Sequence, residues 1–91
     1  MINTNSTAGI QGLDHAARKL RFHRIVGENL RAAREKTGMS QKAFALRIGV
    51  APGTINHAEY GTTVPLYLVA LYAQTIDDVT IDELVPLVED P

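Results

Sequence analysis

Residues 41–60 read QKAFALRIGVAPGTINHAEY, a run that spells two short helices with a sharp turn between them. Phe44, Ile48, Val50 and Ile55 recur at spacings that put them on inward-facing turns. The small Ala45 sits where two steeply crossing helices leave room for little more than a methyl group. Gly49 marks the turn, because the residue that ends such a helix commonly takes a left-handed conformation that glycine adopts without steric cost. Ser40 is placed to cap the first helix. Pro52 stands in the first turn of the second, where its missing N–H would have had no partner.

Further spaced features lie outside this pair. Val26-Gly27-x-x-Leu30-Arg31-x-x-Arg34 comes before it and Gly38-Met39-Ser40-Gln41 leads into it, while Ala45, Gly49-Val50, Thr54-Ile55 and Glu59-x-Gly61 punctuate it. Pro65 and Ile81-Asp82-Glu83-Leu84 follow. Together, from Val26 to Val85, they resemble the helix-turn-helix of the Xre/Cro family of phage and bacterial transcriptional regulators. The resemblance implies an all-α, five-helix, lambda-repressor-like DNA-binding domain over residues 25–91 that ends in dimerisation helices. It also implies a partly buried pairing of Arg34 with Glu59, which would tie the first helix to the third, and a phosphate contact from Gln41 at the start of the second helix.

Length and composition fit one domain. Ninety-one residues, 45% hydrophobic and 21% charged, suit a single modest core. The aromatic residues are Phe22, Phe44, Tyr60, Tyr67 and Tyr72, so stability must lean on aliphatic helix packing and on a second copy of the chain. With no cysteine, neither a disulfide framework nor a thiolate metal site is available, which fits a reducing compartment. The longest apolar run, Val64 to Ala73, is about half of what crosses a bilayer, and no basic start with an apolar stretch marks a secretory signal. A cytoplasmic protein without membrane association is expected.

The net charge of −1 hides a strong asymmetry. All nine bases (Arg18, Lys19, Arg21, Arg24, Arg31, Arg34, Lys36, Lys42 and Arg47) lie in residues 18–47, with only Glu28 and Glu35 among them, a net +7. Beyond Arg47 come seven acids and no base. A polyanion is attracted to the first half and repelled by the second, so the basic helices should face phosphate.

Residues 51–60 should form the helix that enters the major groove of double-stranded DNA. By position Pro52, Gly53, Asn56 and His57 face base edges, with Thr54 and Tyr60 also at the interface; Lys42, Arg47 and Arg24 supply phosphate contacts. Pro52 and Gly53 carry no side-chain donor or acceptor, so direct readout rests on Asn56, suited to an adenine, and His57. Ala58 holds a core position usually filled by a larger side chain, so this helix either sits closer to its neighbours or leaves a gap for Tyr60 or Tyr72.

Residues 1–12, rich in Asn, Thr, Ser and Gly, read as a flexible tail, and residues 13–24 as a basic helical arm with Leu13, Ala17, Leu20 and Ile25 along one face. The arm is either a separate helix or a continuation of the first domain helix through Gly27, and it either grips phosphate or packs on the domain or its mate. After Pro65 a helix is expected with Leu66, Val69, Tyr72, Ala73 and Ile76 in the core. That leaves Tyr67, Leu68 and Leu71, with Leu84 of a last short helix, for a homodimer interface.

The function these features predict is that of a small dimeric repressor, phage-type or carried by a mobile element, that binds a pseudo-palindromic operator. The alternative from another class is an antitoxin whose acidic C-terminal half neutralises a protein partner. Enzyme activity, a cofactor and a metal are not expected: His15, His23 and His57 lack metal-ligand spacing, and there is neither a glycine-rich phosphate loop nor a nucleophile in a recognisable setting.

Overall fold

The computed structural model describes residues 3–88, with side chains from residue 15 onward. From Asn3 the chain runs as one helix, α1 (Asn3–Lys36), which sets the long axis of a molecule measuring 55 × 25 × 17 Å. The stretch expected to be a tail is therefore helical from Asn3 on, and the arm continues the first domain helix without a break at Gly27; Met1 and Ile2 lie outside the described residues. No proline occurs before Pro52, and glycines inside a helix weaken it by only about 1 kcal/mol each, which a long helix can absorb. Arg34 and Lys36 in its last turn complement the negative end of the helix dipole. Thr37 closes the helix, its hydroxyl donating to the Arg34 carbonyl at 2.6 Å, and Gly38 follows at φ +80°.

The helix pair forms as its punctuation requires. In α2 (Gln41–Ile48) the Ser40 hydroxyl accepts the Ala43 N–H at 3.0 Å. Gly49 turns the chain at φ +80°, and the N–H groups of Gly49 and Val50 both donate to the Ala45 carbonyl, at 2.9 and 3.0 Å. Helix α3 (Pro52–Tyr60) starts on Pro52 with Ala51 as its cap. Pro65 then caps α4 (Leu66–Thr75), and Thr80 precedes α5 (Ile81–Leu84), its N–H donating to the Glu83 carboxylate at 3.1 Å.

One core joins all five helices. Val26, Leu30 and Ala33 of α1 meet Phe44 and Ala45 of α2, Ile55 and Ala58 of α3, and Val69 and Tyr72 of α4, with the Phe44 and Tyr72 rings tilted against each other at 4.6 Å. The phase expected for α4 needs correction. Leu68 is 3% exposed and Leu66 74% exposed, so the buried arc runs through Leu68, Val69, Tyr72 and Ile76. Val64, in the approach to the helix, is buried, whereas Leu66 is not. Leu84 is likewise core, at 2% exposure, and the side-chain amide of Asn29 on α1 donates to its carbonyl at 3.1 Å. Leu68 and Leu84 are thus not interface residues. Leu71 packs partly against the core, and of the four only Tyr67 is exposed.

Gly27 governs how closely α3 can approach α1. A Cβ there would lie 2.8 Å from the Ala58 carbonyl oxygen and 2.9 Å from that of Glu59. Both obstacles are backbone, which cannot swing aside. The short distance from Gly27 to the Ala58 carbonyl is the closer approach expected of a small side chain at 58; of the two rings expected to fill a gap instead, Tyr60 is 57% exposed, whereas Tyr72 is buried in the core against Phe44. In an open helix interior Gly→Ala gains about 1 kcal/mol. Gly27→Ala should instead cost about 1–3 kcal/mol through overpacking, read as a lower urea midpoint. A raised midpoint would contradict the close helix crossing.

Candidate nucleic-acid interface

The back of α3 is fixed by a buried charge network. Arg34 reaches from α1 and grips Glu59 with both forks, Nε to Oε2 at 2.8 Å and Nη2 to Oε1 at 2.9 Å, while its Nη1 donates to the Met39 carbonyl at 2.8 Å. The Tyr72 hydroxyl of α4 donates to Oε2 at 2.8 Å, and the Gln41 amide of α2 donates to Oε1 at 3.2 Å. One carboxylate therefore gathers donors from three helices. Arg34 and Glu59 are 6% and 4% exposed, so removing either partner strands a buried charge.

Burial by itself pushes the Glu59 carboxyl up, but the hydrogen bonds from Arg34, Tyr72 and Gln41 outweigh it and hold the group below the ordinary carboxylate value. The same burial, reinforced by the neighbouring carboxylate, drives the Tyr72 phenol well above its ordinary range. Glu59, depressed when folded, contributes stability that is present above the unfolded carboxylate value and lost as pH falls through the folded one. Tyr72, raised when folded, contributes stability that is present below about 10 and lost as pH climbs beyond it.

The front of α3 is open. Pro52, Gly53, Thr54, Asn56 and His57 are all exposed, with Tyr60 more than half exposed at the far end. The inward face is Ile55, Ala58 and Glu59. Gln41 and Lys42 stand at the start of α2, and the Asn56 side-chain amide donates to the Gln41 Oε1 at 3.3 Å. At the other end Arg24 lines a depression with Glu28, Arg31, Tyr60 and Gly61. Arg31 donates to the Tyr60 hydroxyl at 3.2 Å and lies 5.1 Å from its ring centroid, a cationic bracket at the end of α3.

Arg47 falls elsewhere. It lines a groove with Lys36, Asp77, Asp78 and Glu83, among acids of the C-terminal half and apart from the residues around α3. Sequence reasoning also passed over His23, whose Nδ1 accepts the Val64 N–H at 3.0 Å and pins the loop after α3 to α1. No signal in the sequence marks that bond, which spans 41 positions. The Tyr72 contribution was hidden for the same reason, because the residue reads simply as core. Among the described residues no group of His, Asp and Glu is arranged to hold a metal ion, and no helix is long and apolar enough to cross a membrane.

A short exposed helix locked from behind, with a second helix end beside it, defines the helix-turn-helix class of DNA-binding domains. The helix-turn-helix family model matches residues 30–84, more than half of the chain, and the protein belongs to this family, of the Cro/C1 and Xre-like type. It is accordingly a DNA-binding regulator of transcription with a lambda-repressor-like all-α fold. No curated protein and no solved structure matches the chain significantly.

Tyr72→Phe removes one donor from the carboxylate while keeping the ring. It should cost about 1.5–3 kcal/mol, as for a hydrogen bond to a charged group, and shrink the loss of stability above pH 10 in urea titrations taken across pH. An alkaline limb identical to wild type would show that Tyr72 is not its source.

Proposed function

We propose that the protein acts as a small homodimeric repressor, phage-type or carried by a mobile element, whose α3 enters the major groove at each half of a pseudo-palindromic operator. The observation that carries this reading is the exposure of Asn56 and His57 on a helix whose opposite face is clamped by Arg34 and Glu59. A recognition element must present polar side chains at a fixed angle, and the hydrogen bonds to Glu59 from α1, α2 and α4 oppose any roll of this one.

Affinity comes from elsewhere on the domain. Helix α3 carries no Lys or Arg, so phosphate attraction falls to Lys42 at the start of α2 and to Arg24 and Arg31 beside its far end. The acidic end, from Asp77 to the C-terminus, stays away from the duplex. Dimerisation uses the C-terminal helices, where Leu66 and Tyr67 expose large apolar side chains on the first turn of α4. Two half-sites roughly one helical turn apart match such a two-fold arrangement. Occupying the operator then excludes polymerase.

Selection of bound fragments from a random duplex pool should yield an inverted repeat; a single unrepeated site would contradict the dimer. On the selected duplex, Asn56→Ala should lose about 1–3 kcal/mol of discrimination at one base pair per half-site, with binding to random DNA nearly intact. Lys42→Gln should weaken all sequences alike and lower the slope of log affinity against log salt by about 1. An unchanged slope would remove Lys42 from the phosphate contacts.

A further inference from the structure

Gln41 was expected to touch phosphate and nothing more, but its side chain lies between the buried carboxylate and the reading residue. Its Nε2 donates to Glu59 Oε1 at 3.2 Å, and its Oε1 accepts from Asn56 Nδ2 at 3.3 Å. The polarity of this chain is forced from its buried end. Glu59 is an ionised carboxylate, so it only accepts, and both of its oxygens already take donors from Arg34 and Tyr72. An amide beside it must turn its N–H group inward. That leaves the Gln41 carbonyl oxygen facing outward, and an oxygen there accepts only from the nitrogen of Asn56. A flip of either amide would set oxygen against oxygen or nitrogen against nitrogen.

We propose that Gln41 is a specificity-determining positioning residue, relaying the orientation of the Arg34–Glu59 pair into Asn56 so that Asn56 offers its Oδ1 and remaining N–H in one fixed order to an adenine. The inference rests on the reading of α3 as the recognition helix and names the base that it selects. An adenine in the major groove presents the N6 amino donor beside the N7 acceptor, which matches an amide of set polarity; a guanine presents two acceptors and satisfies only half of it. A free Asn56 would sample both flips and hold the productive one only part of the time. With Gln41 in place the amide is ordered before DNA arrives, and less freedom remains to be lost on binding.

Two substitutions separate this role from a phosphate contact. Gln41→Met keeps the length of the side chain and loses both hydrogen bonds. Gln41→Lys keeps a donor for Glu59 and for phosphate but has no acceptor for Asn56. With helical content matched to wild type by circular dichroism, each is put through duplex selection beside wild type and Asn56→Ala. The relay predicts that the base pair whose preference is lost in Asn56→Ala is an adenine position, and that both Gln41 variants lose preference there on the order of tenfold. Gln41→Lys should do so while binding random duplex at least as tightly as wild type. The double variant Gln41→Met with Asn56→Ala should discriminate no worse at that position than Asn56→Ala alone.

A preference profile unchanged in both Gln41 variants, with affinity lowered uniformly in Gln41→Met, would overturn the relay and return Gln41 to phosphate. A base other than adenine at the Asn56 position, or no position sensitive to Asn56, would overturn it too, leaving α3 as the recognition helix through its other residues. Failure of the wild-type protein to bind any duplex would sink the underlying reading, a distinguishable result.

Discussion

Glu59 holds a charge almost out of solvent near the end of a nine-residue helix, and the domain is arranged so that this charge is never alone. Arg34 meets it in a bidentate pair, the geometry in which a guanidinium and a carboxylate match best. Such a pair adds little net stability over an apolar core of equal volume, because both ions have been taken out of water. What it does supply is direction. Two parallel hydrogen bonds fix rotation as well as distance, and Gly27 lets the backbones of α1 and α3 come together closely enough for them to form. The consequence on the other side of α3 is that Asn56 and His57 project from a helix with one available orientation.

Charge and shape divide the work of binding. Helix α3 carries its polar groups without a Lys or Arg; the bases of the chain all lie upstream of it, in residues 18–47, and one of them, Arg34, is taken up by its buried pair with Glu59. The acids that follow, all beyond Arg47, give the C-terminal half the opposite charge. Arg47 is the exception among the expected contacts, since it lines a groove together with Asp77, Asp78 and Glu83.

Much of the scaffold was legible because its signals are local. Ser40, Gly49 and Pro52 each act within a turn of their own position, so capping, the left-handed conformation and the first-turn proline could be read without tertiary knowledge. The phase of α4 was not. Its sequence, LYLVALYAQT, is apolar on nearly every side, and periodicity gives no direction when there is little polar face to contrast with. Leu68 and Leu84 therefore passed for surface residues, and Leu66 for core. Gly27 read as a mild defect in a helix, because the close approach that demands it involves residues 58 and 59, far along the chain. Asn56 and Gln41 were each visible as polar residues of the interface, but the chain from Asn56 through Gln41 to Glu59 depends on α2 and α3 meeting and has no counterpart in spacing.

The central claim is that one face of α3, with the start of α2, meets the duplex while the C-terminal helices do not. The most direct measurement is a side-chain and backbone NMR titration of the full chain with its selected duplex. The account predicts that the side-chain signals of Gln41, Asn56 and His57 and the amides of Lys42 and Gly53 shift most at low protein-to-DNA ratios. Shifts concentrated instead in residues 66–84, with the α3 signals unmoved, would contradict it.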